Sequence, residues 1–156
     1  MRRLAVALAV LTGVLALPSL SSAKPLSFHD WSVRWTAKAT RDNAAIVNRC
    51  QKLFGDSDLK FGMCFVKAGR ANLRAERVVW EKQVAAVARG QAGPCKRAIN
   101  SYFMASRVRQ QASLTYLDSH RRTPLTRIAG DIAGEPYATL KSLADRARAR
   151  ASAICG

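Results

Sequence analysis

The stretch Gly90-Gln91-Ala92-Gly93-Pro94-Cys95 (GQAGPC, residues 90–95) is the sharpest break in the chain, and it divides two runs of helical period. Its two glycines weaken a helix, and Pro94 suits the first position of a new one. Upstream, the period predicts a helix from about Leu59 to Arg89, with Leu73, Trp80, Val84 and Val87 as its buried seam. Glu76 and Glu81 are expected to face outward, and Gly62 and Gly69 weaken the first half, so a kink or a separate segment is expected there. Downstream, Cys95, Ile99, Tyr102, Phe103 and Ser106 share one face of a third helix that reaches about Leu117.

Working outward, the run Asp118 to Thr123 is a polar exit. Thr123-Pro124 reads as N-cap and first position of a short helix to about Ala133, and Gly134-Glu135-Pro136 repeats the punctuation. The last helix carries Tyr137, Leu140, Ala144, Ala147, Ala151 and Ile154 along one side. On the N-terminal side, Ile46, Val47, Cys50, Leu53 and Phe54 follow helical spacing from Thr36 to a stop at Gly55, and Asp58 is a reasonable N-cap for the second helix. Residues 24–36 read differently. Trp31, Val33 and Trp35 alternate with Ser32 and Arg34, the period of an extended arm. Since an isolated strand is unstable, the arm is expected to lay its indoles across the helices, an aromatic anchor at a membrane interface being the alternative. The fold class is therefore all-α. A single compact domain over residues 24–156 is expected, with the arm at 24–36 and a bundle of four main helices plus a short one at 37–156.

Residues 1–23 carry a different signal. Arg2 and Arg3 precede a mostly apolar run, Leu4 to Leu17; Pro18 follows, and Ser21-Ser22-Ala23 offers small residues for a peptidase. That is the layout of a secretory signal peptide cleaved before Lys24, and the run is shorter than the roughly 20 residues of a bilayer span. A secreted or periplasmic location after cleavage is expected. Four cysteines in an exported domain predict two disulfides. If the first two helices form an antiparallel hairpin, Cys50 and Cys64 meet near its bend; the start of the third helix and the end of the last would bring Cys95 to Cys155. The expected pairing is therefore Cys50–Cys64 and Cys95–Cys155.

The chain has 26 Lys and Arg against 10 Asp and Glu, a formal net charge of +16, of which the signal removes only two residues. A GC-rich genome alone enriches Arg and Ala, yet whatever its origin this charge attracts polyanions, at rates that fall with salt. Arg70, Arg74 and Arg77 are spaced to share a helix face; Arg107, Arg121 and Arg122 are the secondary anion-binding candidates, while Arg146, Arg148 and Arg150 fan around their helix.

Metal and catalytic patterns are weak by comparison. No Cys-x-x-Cys or His-x-x-x-His occurs. Asp56-Ser57-Asp58 opens like a calcium loop, but Lys60 stands where a third oxygen ligand is needed. No metal and no cofactor is expected. There is no Gly-x-Ser-x-Gly elbow and no glycine-rich phosphate cradle. The leading expectation is a non-enzymatic exported helical protein that binds an anionic envelope polymer or lipid headgroup through arginine-rich faces, with no specific nucleic-acid partner and no membrane span. A small hydrolase of lipid or wall polymer, centred on His120 or on His29 and Asp30, is the alternative from another class. A third reading is a secreted structural or partner-binding module, which predicts an exposed apolar patch.

Overall fold

The computed structural model describes residues 26–156, so the expected signal peptide lies outside the described residues. Five helices run in order: α1 (Phe28–Phe54), α2 (Asp58–Arg89), α3 (Gly93–Ser119), α4 (Leu125–Ala133) and α5 (Tyr137–Cys155). Four long helices form the bundle and α4 is the short fifth. Both expected disulfides are present, Cys50–Cys64 between α1 and α2 and Cys95–Cys155 between α3 and α5.

The extended arm is corrected at residues 28–36, which form the first turns of α1. Ser27 caps this helix: its hydroxyl accepts from the Asp30 N–H at 3.1 Å and donates to the Asp30 carboxylate at 3.0 Å. Read from Phe28, the aromatic positions 28, 31 and 35 have helical spacing. Val33, which produced the alternation, points outward and is 54% exposed. The indoles still meet the helical core. Trp31 is buried, donates to the Gln83 side chain at 3.0 Å, and stacks on half-buried Trp35.

A second correction concerns α2, which is continuous through Gly62 and Gly69. Gly62 is required by a close approach. A Cβ there would lie 2.1 Å from the Thr123 carbonyl oxygen and 2.8 Å from the Leu125 nitrogen, so only glycine lets the entry to α4 cross α2. The capping residues also differ from expectation. Ser57 caps α2, accepting from the Lys60 N–H at 3.3 Å. Asp58 reaches to α4 instead, accepting from the Thr126 N–H at 3.1 Å and its hydroxyl at 2.7 Å. Pro124 occupies the α4 N-cap position with no side-chain cap of its own, so an aspartate distant in sequence supplies what Thr123 was expected to supply.

Two apolar clusters divide the bundle. At one end the start of α1, the end of α2, the start of α3 and the end of α5 meet around Phe28, Trp31, Trp80, Ile99, Tyr102 and Ala151. Trp80 is fully buried, stacks on Phe103 at 5.1 Å, and has its indole N–H 3.4 Å from the Tyr102 hydroxyl. Ala144, Ala147 and Ala151 give α5 a narrow face, and α5 packs most extensively on α3. At the other end a smaller cluster gathers Val66, Tyr116, Leu117 and Ile128, with Phe65, Leu73 and Tyr137 against it. Ile154, expected along the buried side of α5, is 42% exposed.

Candidate anion-binding surface

The bundle's second end carries most of the candidate arginines. Arg70 and Arg74 stand one turn apart on α2 and face the last turn of α3, where Asp118 lies. Arg70 Nη1 donates to Asp118 Oδ1 at 2.8 Å, and Arg74 Nη2 donates to Oδ2 at 3.0 Å. Arg121, in the turn after α3, brings Nη2 within 3.6 Å of Asp118 Oδ1 and donates from Nε to the Asp118 carbonyl at 3.2 Å. Three guanidiniums from two segments thus converge on one carboxylate. The Arg70 hydrogen bond, aided by the charge of Arg74, holds the Asp118 carboxyl below the usual carboxylate range.

The expected single face of Arg70, Arg74 and Arg77 divides at Arg77. Its Nε donates to Glu81 at 3.1 Å and its Nη1 to the Gln111 side chain at 2.7 Å. Arg107 approaches the same Glu81 carboxylate at 3.7 Å. Arg122 is exposed and, among the described residues, makes no ion pair. Five of the six candidate arginines therefore meet two carboxylates, and positive charge remains in excess. Each guanidinium offers five donors in a planar fork, so one bond to Asp118 fixes Arg70 and leaves donors for a further oxyanion.

Beside this cluster lies a cleft of about 240 Å³ with Met63 and Val66 as its floor and Lys67, Arg70 and Arg121 at its rim. It is smaller than the roughly 300 Å³ at which small-molecule pockets begin, so it suits one headgroup-sized anion with apolar carbon beneath it. Lys67 was not among the sequence candidates, although it lies three residues before Arg70 on the same helix. Asp118 was also missed as an organising group, since only the register of α3 against α2 reveals it.

A second cleft, about 430 Å³, lies between α1 and α2 and is lined by Leu26, Trp31, Trp35, Val79 and Val87 with Arg34 and Lys38 beside them. Lys38 is committed within the fold, to Asp42 and, at 2.7 Å, to Glu76. Those hydrogen bonds, Asp42 first, raise its pKa.

The residues of the hydrolase alternative are placed apart. His29 is exposed at the start of α1, where Asp30 is engaged by Ser27. His120 comes directly after α3 at the opposite end, its Nδ1 2.9 Å from both the Tyr116 carbonyl and the Ser119 hydroxyl, its ring stacked on Tyr116 at 4.0 Å. Among the described residues no ion pair joins a carboxylate to either imidazole. Below His120, Tyr116 donates to Asp131 at 2.8 Å; burial first, then this bond, pushes the phenol up to about 12. Asp131 in turn is held low by the Tyr116 bond and by Arg127. Ser57 and Asp58 of the Asp56-Ser57-Asp58 stretch are used for capping, and among the described residues no group of three or more His, Cys, Asp or Glu side chains is placed to hold a metal ion.

Apolar side chains also gather where α1 turns into α2. Val47, Leu53, Phe54, Leu59 and Met63 are all more than a third exposed, although 47, 53 and 54 follow the apolar period of α1. At its tip the hairpin formed by these helix ends is held by Cys50–Cys64, and the start of α4 meets its α2 side at Asp58 and Gly62. None of the described helices is long and apolar enough to cross a membrane. No protein-family model, curated protein or solved structure matches the chain, so the functional reading rests on its own residues.

Proposed function

We propose that this protein is exported, through the signal peptide read at residues 1–23, and binds an anionic component of the cell envelope without catalysing a reaction. The observation that carries the reading is the convergence of Arg70, Arg74 and Arg121 on Asp118 beside a cationic-rimmed cleft. A lone carboxylate orients the guanidiniums without neutralising them, so a phosphate or carboxylate meets donors that are already positioned. Two disulfides agree with an oxidising compartment. Lys67, Arg122 and the Arg77–Arg107 pair at Glu81 extend the positive field on either side and steer polyanions toward the cluster.

The test is co-sedimentation with isolated envelope across a salt series. The comparison is wild type against a triple variant, Arg74→Gln, Arg121→Gln and Arg122→Gln, which leaves the Arg70–Asp118 bond in place. Wild-type binding should persist at physiological salt, where diffuse attraction is screened. The variant should bind roughly tenfold more weakly, the combined worth of a few exposed ion contacts. Binding that vanishes at physiological salt, or that the three substitutions leave unchanged, would remove the cluster from the function.

A further inference from the structure

We infer that the α1–α2 hairpin tip docks on the surface of an anionic phospholipid bilayer, its apolar side chains entering the headgroup–acyl boundary below the arginine cluster. The inference rests on the envelope-binding reading and names its ligand. Three observations carry it. First, Leu53, Phe54, Leu59 and Met63 crowd one tip, with Leu53 56% and Leu59 46% exposed. A soluble monomer rarely leaves contiguous large apolar groups uncovered, and patches rimmed by polar residues mark contact surfaces.

Second, the spacing along α2 matches a membrane interface. At 1.5 Å per residue, Met63 lies roughly 10 Å and Leu59 roughly 16 Å tipward of Arg70 along the helix axis. Interfacial helices bury their apolar face about 5–10 Å below the headgroups. With Lys67, Arg70 and Arg121 at the level of the phosphates, Met63 sits at that depth, and α2 inclined by about 50° from the membrane normal brings Leu59 there too. The cleft repeats the arrangement on the scale of one lipid, with a floor of Met63 and Val66 under a rim of three cations.

Third, the charge is complementary. Arg49, Lys52, Lys60, Lys67 and Arg70 fall within residues 46–70, against only Asp56 and Asp58. Asp58 is engaged at the start of α4. Long lysine and arginine stems lie along apolar surface while their heads stay in the polar layer. The Cys50–Cys64 bridge holds the two helix ends together, so the surface is formed before binding and little ordering cost remains.

The experiment uses the processed, oxidised chain with phosphatidylglycerol-containing vesicles, phosphatidylcholine vesicles and isolated envelope. A tip variant, Leu53→Ser with Leu59→Ser, changes only exposed positions outside the cleft, and unaltered circular dichroism and unfolding midpoint verify its fold. Wild type should pellet with the anionic vesicles and not with the neutral ones, and inorganic phosphate should not displace it. The tip variant should bind roughly tenfold more weakly, the loss expected for two half-exposed apolar side chains, and so should the arginine triple variant.

A tip variant that binds anionic vesicles like wild type overturns the inference and leaves the arginine reading intact. Envelope binding that persists without any vesicle binding does the same, and points to a wall polymer. If phosphate competes fully, the cluster binds the free anion and membrane docking fails. Should the tip substitutions instead dissolve a dimer or a protein complex on size-exclusion, the tip is a protein interface and the inference is wrong. Loss of both vesicle and envelope binding in wild type sinks the underlying reading as well.

Discussion

The two ends of the bundle are built from the same helices and reach opposite states. At the first end, aromatic rings from α1, α2 and α3 close on one another: Phe28 and Tyr102 meet edge to face at 5.3 Å, and Trp80 is fully enclosed. The Cys95–Cys155 bridge seals that end. At the second end the core shrinks to a handful of residues around Val66 and Ile128, α4 covers one side, and the hairpin tip projects with its apolar groups uncovered. The guanidinium cluster is also there. The first end encloses a large aromatic core, whereas the second sets exposed apolar side chains beside excess positive charge. The contrast shows a molecule whose stability and surface chemistry are assigned to different ends of the same helices.

The most direct way to break that contrast is to cut a large side chain from each end. Trp80→Ala empties a fully buried site and should cost about 3–5 kcal/mol. Leu53→Ala, at a more than half-exposed position, should stay within about 0.5 kcal/mol. Urea unfolding with both disulfides intact measures the two. If the costs come out alike, the tip is as deeply packed as the aromatic end and the division fails.

A smaller effect sharpens the comparison through pH. Tyr116, buried at the tip end, has its pKa pushed up from an ordinary 10 to about 12 by burial and by its bond to Asp131. The fold therefore favours the protonated phenol. That contribution is complete below about pH 10 and is lost as pH rises from 10 toward 12, on the order of 2 kcal/mol in all. Asp131 behaves oppositely: held below the usual carboxylate range, it contributes above about pH 4 and loses that contribution in acid. Lys38, raised by Asp42 and Glu76 at the α1–α2 contact, also loses its contribution in alkali, so wild type alone cannot isolate the phenol. Unfolding midpoints of wild type and Tyr116→Phe at about pH 9 and about pH 11 separate them. The gap in alkaline sensitivity between the two proteins is the phenol's share; equal sensitivity would place the alkaline loss elsewhere.

How much of the molecule was legible in the sequence depends on how local each signal is. Helix number, the breaks at Gly55 and at 90–94, and both disulfide pairings were legible, because spacing within a helix and the antiparallel return of the next one determine them. The arm was misread since Trp31, Val33 and Trp35 also satisfy a two-residue period, while Ser27 with Asp30 three residues on marked a helix start that the alternation concealed. Gly62 looked like a weakness and is a crossing point, which only the path of Thr123 to Leu125 explains. Val47, Leu53 and Phe54 were legible as an apolar face but not as an uncovered one: periodicity reports that a helix has two sides, not what lies on either. In the same way Arg70 and Arg74 were visible as neighbours, but the carboxylate that gathers them sits 44 residues beyond Arg74 and was hidden in a run that read only as a polar exit.

The smallest effect tests how the tip end keeps its shape with so small a core. Asp58 supplies the cap that Pro124 cannot, joining the start of α2 to the start of α4 through the Thr126 N–H and hydroxyl. Asp58→Ala should cost about 1 kcal/mol, the usual worth of an N-cap. Asp58→Asn should recover most of it, since an amide oxygen still accepts from the N–H. Asp56→Ala, two residues earlier and free of that role, should change stability by less than about 0.5 kcal/mol. Hydrogen exchange locates the effect: Asp58→Ala should speed exchange at the α4 amides while those around Trp80 stay protected. Acceleration at both ends would mean that the bundle unfolds as one unit, and the cap would then stabilise the whole bundle instead of the tip end alone.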